Sequence, residues 1–373
     1  MQEIRKLADK VACDLIMYPT DSKYTDEHIR EFQGCPTIAA TKGGRLYLGW
    51  YAGGTREPHM DNFNLVIRSD NGGKSWSEPI FVIPSSRENN IHALDIQLFT
   101  APDGRLFVFW VQNNTHPAGT GEKNTAGTYL APYVEVDGTI FDDFRHSMWV
   151  SVCDNPDADK PVFSEPRCVS TGFLRCKPLV TSSGRWLCFN YDQMSDRYGY
   201  TISDDNGKTF VRHTGPKKVP TSFDESMAYE KKDGGIRMLA RTNTGELGET
   251  TSRDGGLTWE GAKESGIESP DTRFYISRTP SGRLLLINND SRQGRKNMTL
   301  YLSEDDGATW KYKRCVDTRN NISYPDADFH DGKIYLSYDR ERTGAKEILF
   351  AAVTEEDIID PTRPIDVRVI SKP

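Results

Sequence analysis

An eight-residue turn occurs four times in this chain, as "SDNGGKSW" (69–76), "SDDNGKTF" (203–210), "SRDGGLTW" (252–259) and "SEDDGATW" (303–310). The shared pattern is Ser-x-Asp/Asn-x-Gly-x-Ser/Thr-Trp/Phe. An acidic or amide side chain accepts hydrogen bonds from backbone N–H groups just after it, and glycine admits positive φ. The aromatic residue is large enough to bury the turn against its neighbours. Four such copies make the chain an array of like units.

A second motif interleaves with the first: an apolar strand, a turn with glycine, then a strand rich in Leu and aromatic residues. It appears as "CPTIAATKGGRLYLGW" (35–50), "DIQLFTAPDGRLFVFW" (95–110), "KPLVTSSGRWLCFN" (177–190), "ESMAYEKKDGGIRMLAR" (225–241), "RFYISRTPSGRLLLIN" (273–288) and "YPDADFHDGKIYLSY" (324–338). The six hairpins recur about every fifty residues, except for one longer interval that holds a loop-rich insertion at 112–146. A third and a fourth short strand follow each hairpin, with the Ser-Asp-Gly-Trp turn between them in four of the six units. Four antiparallel strands repeated six times predict a single all-β domain over 1–373, a six-bladed β-propeller of four-stranded antiparallel blades. Separate sandwich domains would need linkers, and the uniform units leave none. Residues 1–30 are expected to supply a helix or closing strand.

Composition narrows the function. A net charge of −7 and no basic run argue against a nucleic-acid partner. A mean hydropathy of −0.63 with no long apolar stretch speaks against a membrane partner. The start "MQEIRKLADKVACDL" lacks a leader's apolar core, so a cytoplasmic location is expected, though a secreted protein trimmed of its leader would read the same way. Seven cysteines scattered without CxxC spacing read as reduced, buried thiols. The histidines have no metal-ligand spacing, and neither a metal nor a cofactor is expected.

Blade geometry sorts the residues by end. If the first strand of each unit runs down from the top, the hairpin turn and the Ser-Asp-Gly-Trp turn both lie at the bottom, where their role is structural. Chemistry is then expected where first strands begin, at Cys35, Asp95, Lys177, Glu225, Arg273 and Tyr324. Arg241, at the end of the fourth unit's second strand, is brought back beside Glu225. The top loops add "TREPHMD" (55–61) and "SRQGRKN" (291–297). Such charged residues could simply solvate the loops, but the strand-start placement of Glu225 and Tyr324 favours a site.

With these residues in place, the chain resembles the sialidase (neuraminidase) superfamily from about residue 32 onward, and the repeated turn is that family's Asp-box (BNR repeat). The resemblance implies a glycoside hydrolase acting on a carbohydrate substrate, an acidic sugar glycoside. "DESMAYEKKDGGIRMLAR" resembles the segment that carries a catalytic glutamate and a substrate-binding arginine, which puts those roles on Glu225 and Arg241. "GRKNMTLYLS" puts a carboxylate-binding arginine at Arg295, and "SYPDADFHDGKIYLSY" implies Tyr324 as nucleophile. The chemistry explains the set: an anomeric carbon bearing a carboxylate repels an anionic nucleophile, so a neutral tyrosine attacks while a glutamate takes its proton. Arginines pair with the substrate carboxylate. The acid that protonates the leaving oxygen falls on Glu57, where the family usually has aspartate, with Asp61 in the same loop as competitor.

The chain departs from the family at the first strand. "FQGCPTI" places Gly34 or Cys35 where sialidases carry the first of three clamp arginines. Arg30, Arg56 and Arg273 are candidates to fill that gap, and Asp95 is a further candidate for substrate binding. Three readings follow: a sialidase-like retaining exo-glycosidase for sialic acid or a related acidic sugar, a propeller glycosidase for a different sugar, and a non-catalytic carbohydrate-binding propeller. The 112–146 insertion leaves the top of the second unit and is expected to overhang the pocket.

Overall fold

Each hairpin forms the inner strand pair of one blade. The first blade comprises Phe32–Ala40, Leu46–Gly53, Phe63–Ser69 and Phe81–Pro84, in sequence order from the axis outward, and Ile16–Met17 adds a short fifth strand at its outer edge. Five more four-stranded antiparallel sheets follow, ending in the blade of Ile322–His330, Lys333–Arg340, Glu347–Thr354 and Val367–Ser371. The computed structural model is thus a six-bladed β-propeller. It describes residues 12–88, 91–114, 146–193 and 195–373, with the backbone of short strands between 122 and 142. No helix among these residues is long and apolar enough to cross a membrane.

Inner strands are covered by a blade on either side, so "LYLGWYAG" (Leu46–Gly53) is buried on both faces up to its last residue. Outer strands such as Lys263–Glu268 alternate exposed and half-buried residues along most of their length. The core therefore lies between blades. Leu285, Leu300, Ile334 and Leu336, for example, form one apolar cluster shared by blades 5 and 6.

The Asp-box turns have the expected internal bonding. In the turn at 252–259, the Asp254 carboxylate accepts from the N–H groups of Leu257 and Thr258 at 3.0 and 2.9 Å, and Ser252 Oγ accepts from Gly256 N at 2.9 Å. Their outward role was not visible in the sequence: each packs on the preceding blade. A Cβ on Gly73 would meet Phe350, one on Gly207 would meet Phe107, one on Gly256 would meet Leu187, and one on Gly307 would meet Tyr229. The two units without an Asp-box dock in the same direction. Pro156 O accepts from Arg45 at 2.9 Å, and Glu355, in the short helix Glu355–Ile359, pairs with Arg283 at 2.6 Å.

Ring closure brings blade 1 against blade 6. Asp326 accepts from Thr37 Oγ1 at 2.7 Å and Ile38 N at 2.9 Å. The described part of the N-terminal segment supplies the expected helix, a short one at Ser22–Thr25, but its strand widens blade 1 instead of closing the ring, because it pairs with Phe81 and Val82 at the outer edge. Six of the cysteines are buried thiols as expected, but Cys315 is exposed, because it lies on the outermost strand of blade 5. Most of the 112–146 insertion, and with it the expectation that it overhangs the pocket, lies outside the described residues.

Candidate active site

Three first strands begin with the same local device. The ladder slips between Gly34 and Thr37, between Leu94 and Gln97, and between Ser323 and Asp326. Within these bulges Cys35, Asp95 and Tyr324 take positive φ of 57°, 46° and 57°. A bulge re-aims one side chain relative to the strand, and non-glycine residues hold such φ values only where the surroundings over-determine them. Two of the three, Asp95 and Tyr324, belong to the charge network at the mouth of the channel.

The centre of that network is a pair. Tyr324 donates its hydroxyl proton to Glu225 Oε1 at 2.5 Å, and both side chains are buried. Arg241 Nη1 donates to Glu225 Oε2 at 2.9 Å and to Tyr324 Oη at 3.0 Å, while its Nε holds Asp271 at 2.6 Å. Arg175 approaches from the other side, 3.3 Å from Glu225 and 3.4 Å from Tyr324 Oη. Burial pushes the Glu225 carboxyl up, but Arg241, Arg175 and the hydrogen bond from Tyr324 outweigh it and hold the group at about 2. Burial, with Glu225 alongside, raises the Tyr324 phenol to about 12 against the pull of the arginines. The resting proton therefore belongs to the tyrosine.

Above the pair opens a cavity of about 160 Å³, whose wall includes Glu57, Arg175, Arg241, Arg295, Tyr324 and Arg342. Glu57 enters from the 55–61 loop, 3.2 Å from Arg342 Nη1 and 3.6 Å from Arg175. Arg295 donates to Ser323 Oγ at 3.4 Å and to the Asp271 carbonyl at 3.1 Å, and its guanidinium lies 5.6 Å from the Tyr324 ring centre. Asp95 sits behind Arg175, which it pairs at 2.7 Å. Burial drives the Asp95 carboxyl upward in spite of that partner, helped by the nearby Glu57 and Glu225 charges. Phe173 and Phe223 flank Arg175 at 5.4 and 5.9 Å and supply the apolar part of the wall.

Other sequence candidates fall elsewhere. Asp61 faces outward, held by Arg87 and His59, in a separate cleft of about 550 Å³ that Arg30 also lines. The two sides of one loop thus divide the candidate acids, and the cavity has Glu57. Arg56 is exposed and absent from the cavity wall. Arg273 lies under the floor, donating to the carbonyls of Arg175, Pro36 and Tyr324 at 2.8, 2.8 and 3.1 Å, so it ties its own blade to three others below the site. Lys177 also lies below, bonded to Asp326 at 2.7 Å.

Two arginines of the wall were missed. Arg175 stands two residues before Lys177, because the ladder of blade 3 begins late, at Leu179. Arg342 follows the second strand of blade 6, close to the place where Arg241 follows that of blade 4. Comparing the two strand ends would have found it. Ligand atoms of Cys35, Glu57 and Asp95 lie within 4.8 Å of one another. Arg175 and Arg342 already pair those carboxylates and would repel a cation, so the arrangement suits anion binding.

Comparison with known proteins agrees with this fold. Residues 44–336 match the family model described as BNR repeat-like domain. The chain is 26% identical over 220 residues to an anhydrosialidase of Macrobdella decora, covering 54% of this chain and 29% of that protein. It is 31% identical over 313 residues to sialidase B of Streptococcus pneumoniae, covering 74% of this chain and 40% of that protein. The chain thus spans less than half the length of either relative. A crystal structure of the intramolecular trans-sialidase from Ruminococcus gnavus superposes with a TM-score of 0.67 at 17% identity, over 94% of this chain and 99% of that one, and shares the fold.

Proposed function

Because the chain belongs to the sialidase superfamily, with a BNR repeat-like domain over most of its length, we propose that it is a retaining exo-glycosidase that removes a terminal sialic acid or related acidic sugar from a glycoconjugate. The observation that carries the reading is the buried Tyr324–Glu225 pair at 2.5 Å with Arg241 on both members. A purely lectin-like propeller has no use for a phenol pressed against a carboxylate in a cationic pocket.

In the first step Tyr324 Oη attacks the anomeric carbon and passes its proton to Glu225, while the bond to the leaving oxygen breaks and Glu57 protonates that oxygen. In the second, Glu57 takes a proton from water, the water oxygen attacks the same carbon, and the carbon–tyrosine bond breaks as Glu225 returns the proton. Two displacements retain the anomeric configuration. Glu225 is a weak base at rest, so its proton transfer must follow bond formation, which acidifies the phenol. Arg241 and Arg175 stabilise the charge that develops there. Tyr324→Phe should cut turnover of an aryl sialoside by at least about 10³-fold with no change in melting temperature. A Phe variant with wild-type rates would refute the mechanism.

The likeness to an anhydrosialidase and an intramolecular trans-sialidase favours a second reading of the last step. One of the sugar's own hydroxyls would then replace water as the attacking group and leave an anhydro sugar. Turnover in ¹⁸O-water separates the two: hydrolysis puts the label on the anomeric hydroxyl, whereas internal transfer leaves the product unlabelled.

A further inference from the structure

Gly34 is one of the two first-strand residues that stand where the superfamily carries an arginine, and the stem of Arg342 fills the space that a side chain at 34 would need. A Cβ on Gly34 would lie 2.7 Å from Arg342 Cγ, 2.8 Å from its Cδ and 2.8 Å from Asp339 Oδ2. No side chain larger than hydrogen fits at 34 while Arg342 lies there. Glycine at one end of the chain and arginine at the other are two halves of one exchange.

Arg342 is posed for a ligand. Its Nε is fixed by Asp339 Oδ2 at 2.9 Å, and Asp339 is itself held by Cys35 N at 2.8 Å and Ser323 Oγ at 2.6 Å. Its guanidinium lies 4.1 Å from the Tyr324 ring centre and bonds Glu57 through Nη1 at 3.2 Å. The remaining nitrogen, Nη2, is buried without a hydrogen-bond partner among the described residues. A buried donor without an acceptor is costly, and an incoming carboxylate would relieve it. Arg295 likewise has a hydroxyl and a backbone carbonyl for acceptors, with no carboxylate among its hydrogen bonds.

We infer that Arg342 is the third arm of the carboxylate clamp, acting with Arg241 and Arg295, and that the substrate therefore carries its carboxylate on the anomeric carbon, directly over Tyr324. The inference rests on the glycosidase reading of the Tyr324–Glu225 pair and extends it to the substrate class. A uronic acid, whose carboxylate sits on the carbon beyond the ring oxygen and not on the anomeric carbon, would not satisfy three guanidiniums crowded around the nucleophile.

The alternative is that Arg342 only props Glu57, and the two differ in a binding measurement that needs no turnover. Calorimetry with 2-deoxy-2,3-didehydro-N-acetylneuraminic acid and with its C1 carboxamide compares the charged ligand with a neutral one of the same shape. The wild type should prefer the acid at least tenfold, Arg342→Gly should cut that preference several-fold while Arg241 and Arg295 keep part of it, and Arg342→Lys should fall between them. The double variant Gly34→Arg/Arg342→Gly, which returns a guanidinium to the first strand, should recover most of the preference. Melting curves identify variants that fail to fold, and the lysine and double variants carry the test if Arg342→Gly does so. Equal weakening toward acid and amide in the folded variants would overturn the inference. A wild type that binds both without preference would overturn it too, and would leave the tyrosine mechanism standing. A wild type that binds neither would overturn both this inference and the sialidase reading.

Discussion

Tyr324 and Glu225 share one proton between groups held at about 12 and about 2, so neither changes charge between pH 5 and 8. Any limb of the rate profile in that range must come from another group, and the Asp95 carboxyl behind Arg175, raised by burial to about 7, is placed to supply one. Glu57 is the carboxylate placed to act on the leaving oxygen. Glu57→Gln should lower turnover by about 10²–10⁴-fold on alkyl glycosides, whose leaving oxygen needs a proton, and much less on nitrophenyl glycosides. Asp61→Asn, on the other side of the loop with Arg87, should change neither rate by more than about twofold, because exposed pairs contribute little. Rates on the two aglycone types check both statements, and the opposite ranking of Glu57 and Asp61 would reassign the acid. The residues readable from sequence were those set by strand beginnings and family spacing: Glu225, Tyr324, Arg241 and Arg295. Arg175 was missed because the bonded ladder of blade 3 is only two residues long on its inner edge, so counting back from the turn glycine landed on Lys177. Arg342 was not legible because it follows a second strand in the sixth unit, far in sequence from Arg30, Arg56 and Arg273. The space it fills is defined by a glycine some three hundred residues away.

At the scale of the element, the repeated turn proves to be a fastener as well as a corner. Its hydrogen bonds were readable from the spacing of Ser, Asp and Gly, but its contact with the preceding blade was not, because nothing in the motif names the partner. The arginine that follows the hairpin glycine in four of the six units shows the same limit. Arg105 reaches Asn206 O at 2.8 Å and Arg185 reaches Gly255 O at 3.2 Å, each on the following blade. In sequence they look like ordinary solvated charges. Two glycines with nearly equal φ separate backbone strain from packing. Gly256 has φ 86° and a Cβ there would lie 2.8 Å from both Leu187 methyl carbons, whereas Gly282 has φ 91° and nothing within 4 Å. Gly282→Ala should cost about 1–2 kcal/mol from the left-handed backbone alone. Gly256→Ala adds a steric clash between blades and should cost about 1–3 kcal/mol more. Denaturant unfolding of the two variants measures the difference, and equal losses would mean that the Asp-box contact is slack.

The ring as a whole was legible in its count of blades, but its means of closure was hidden, because the residues responsible lie in four different repeats. Asp326, at 3% exposure on blade 6, accepts from Thr37 Oγ1 and Ile38 N on blade 1, from Gln97 on blade 2 at 3.3 Å, and from Lys177 on blade 3 at 2.7 Å. Lys177, itself 8% exposed, also donates to the carbonyl of Ile38, so it spans the channel beneath the active site and neutralises the carboxylate that joins the first and last blades. Sequence position suggested a mouth residue, but the structure makes it a crosslink. Lys177→Met removes the cation while leaving the carboxylate buried, and breaking such a pair should cost about 3–5 kcal/mol. Lys177→Met/Asp326→Asn removes both charges and leaves an amide oxygen for Thr37 and Ile38, so most of the loss should return. If the pair holds the ring closed, Lys177→Met should also release the first and last blades ahead of the rest. Hydrogen exchange would then show early loss of protection in the strands Phe32–Ala40 and Ile322–His330 while blades 4 and 5 remain protected. Uniform loss of protection, or a double variant no more stable than the single one, would place the closing energy in the apolar contacts between blades 1 and 6 instead.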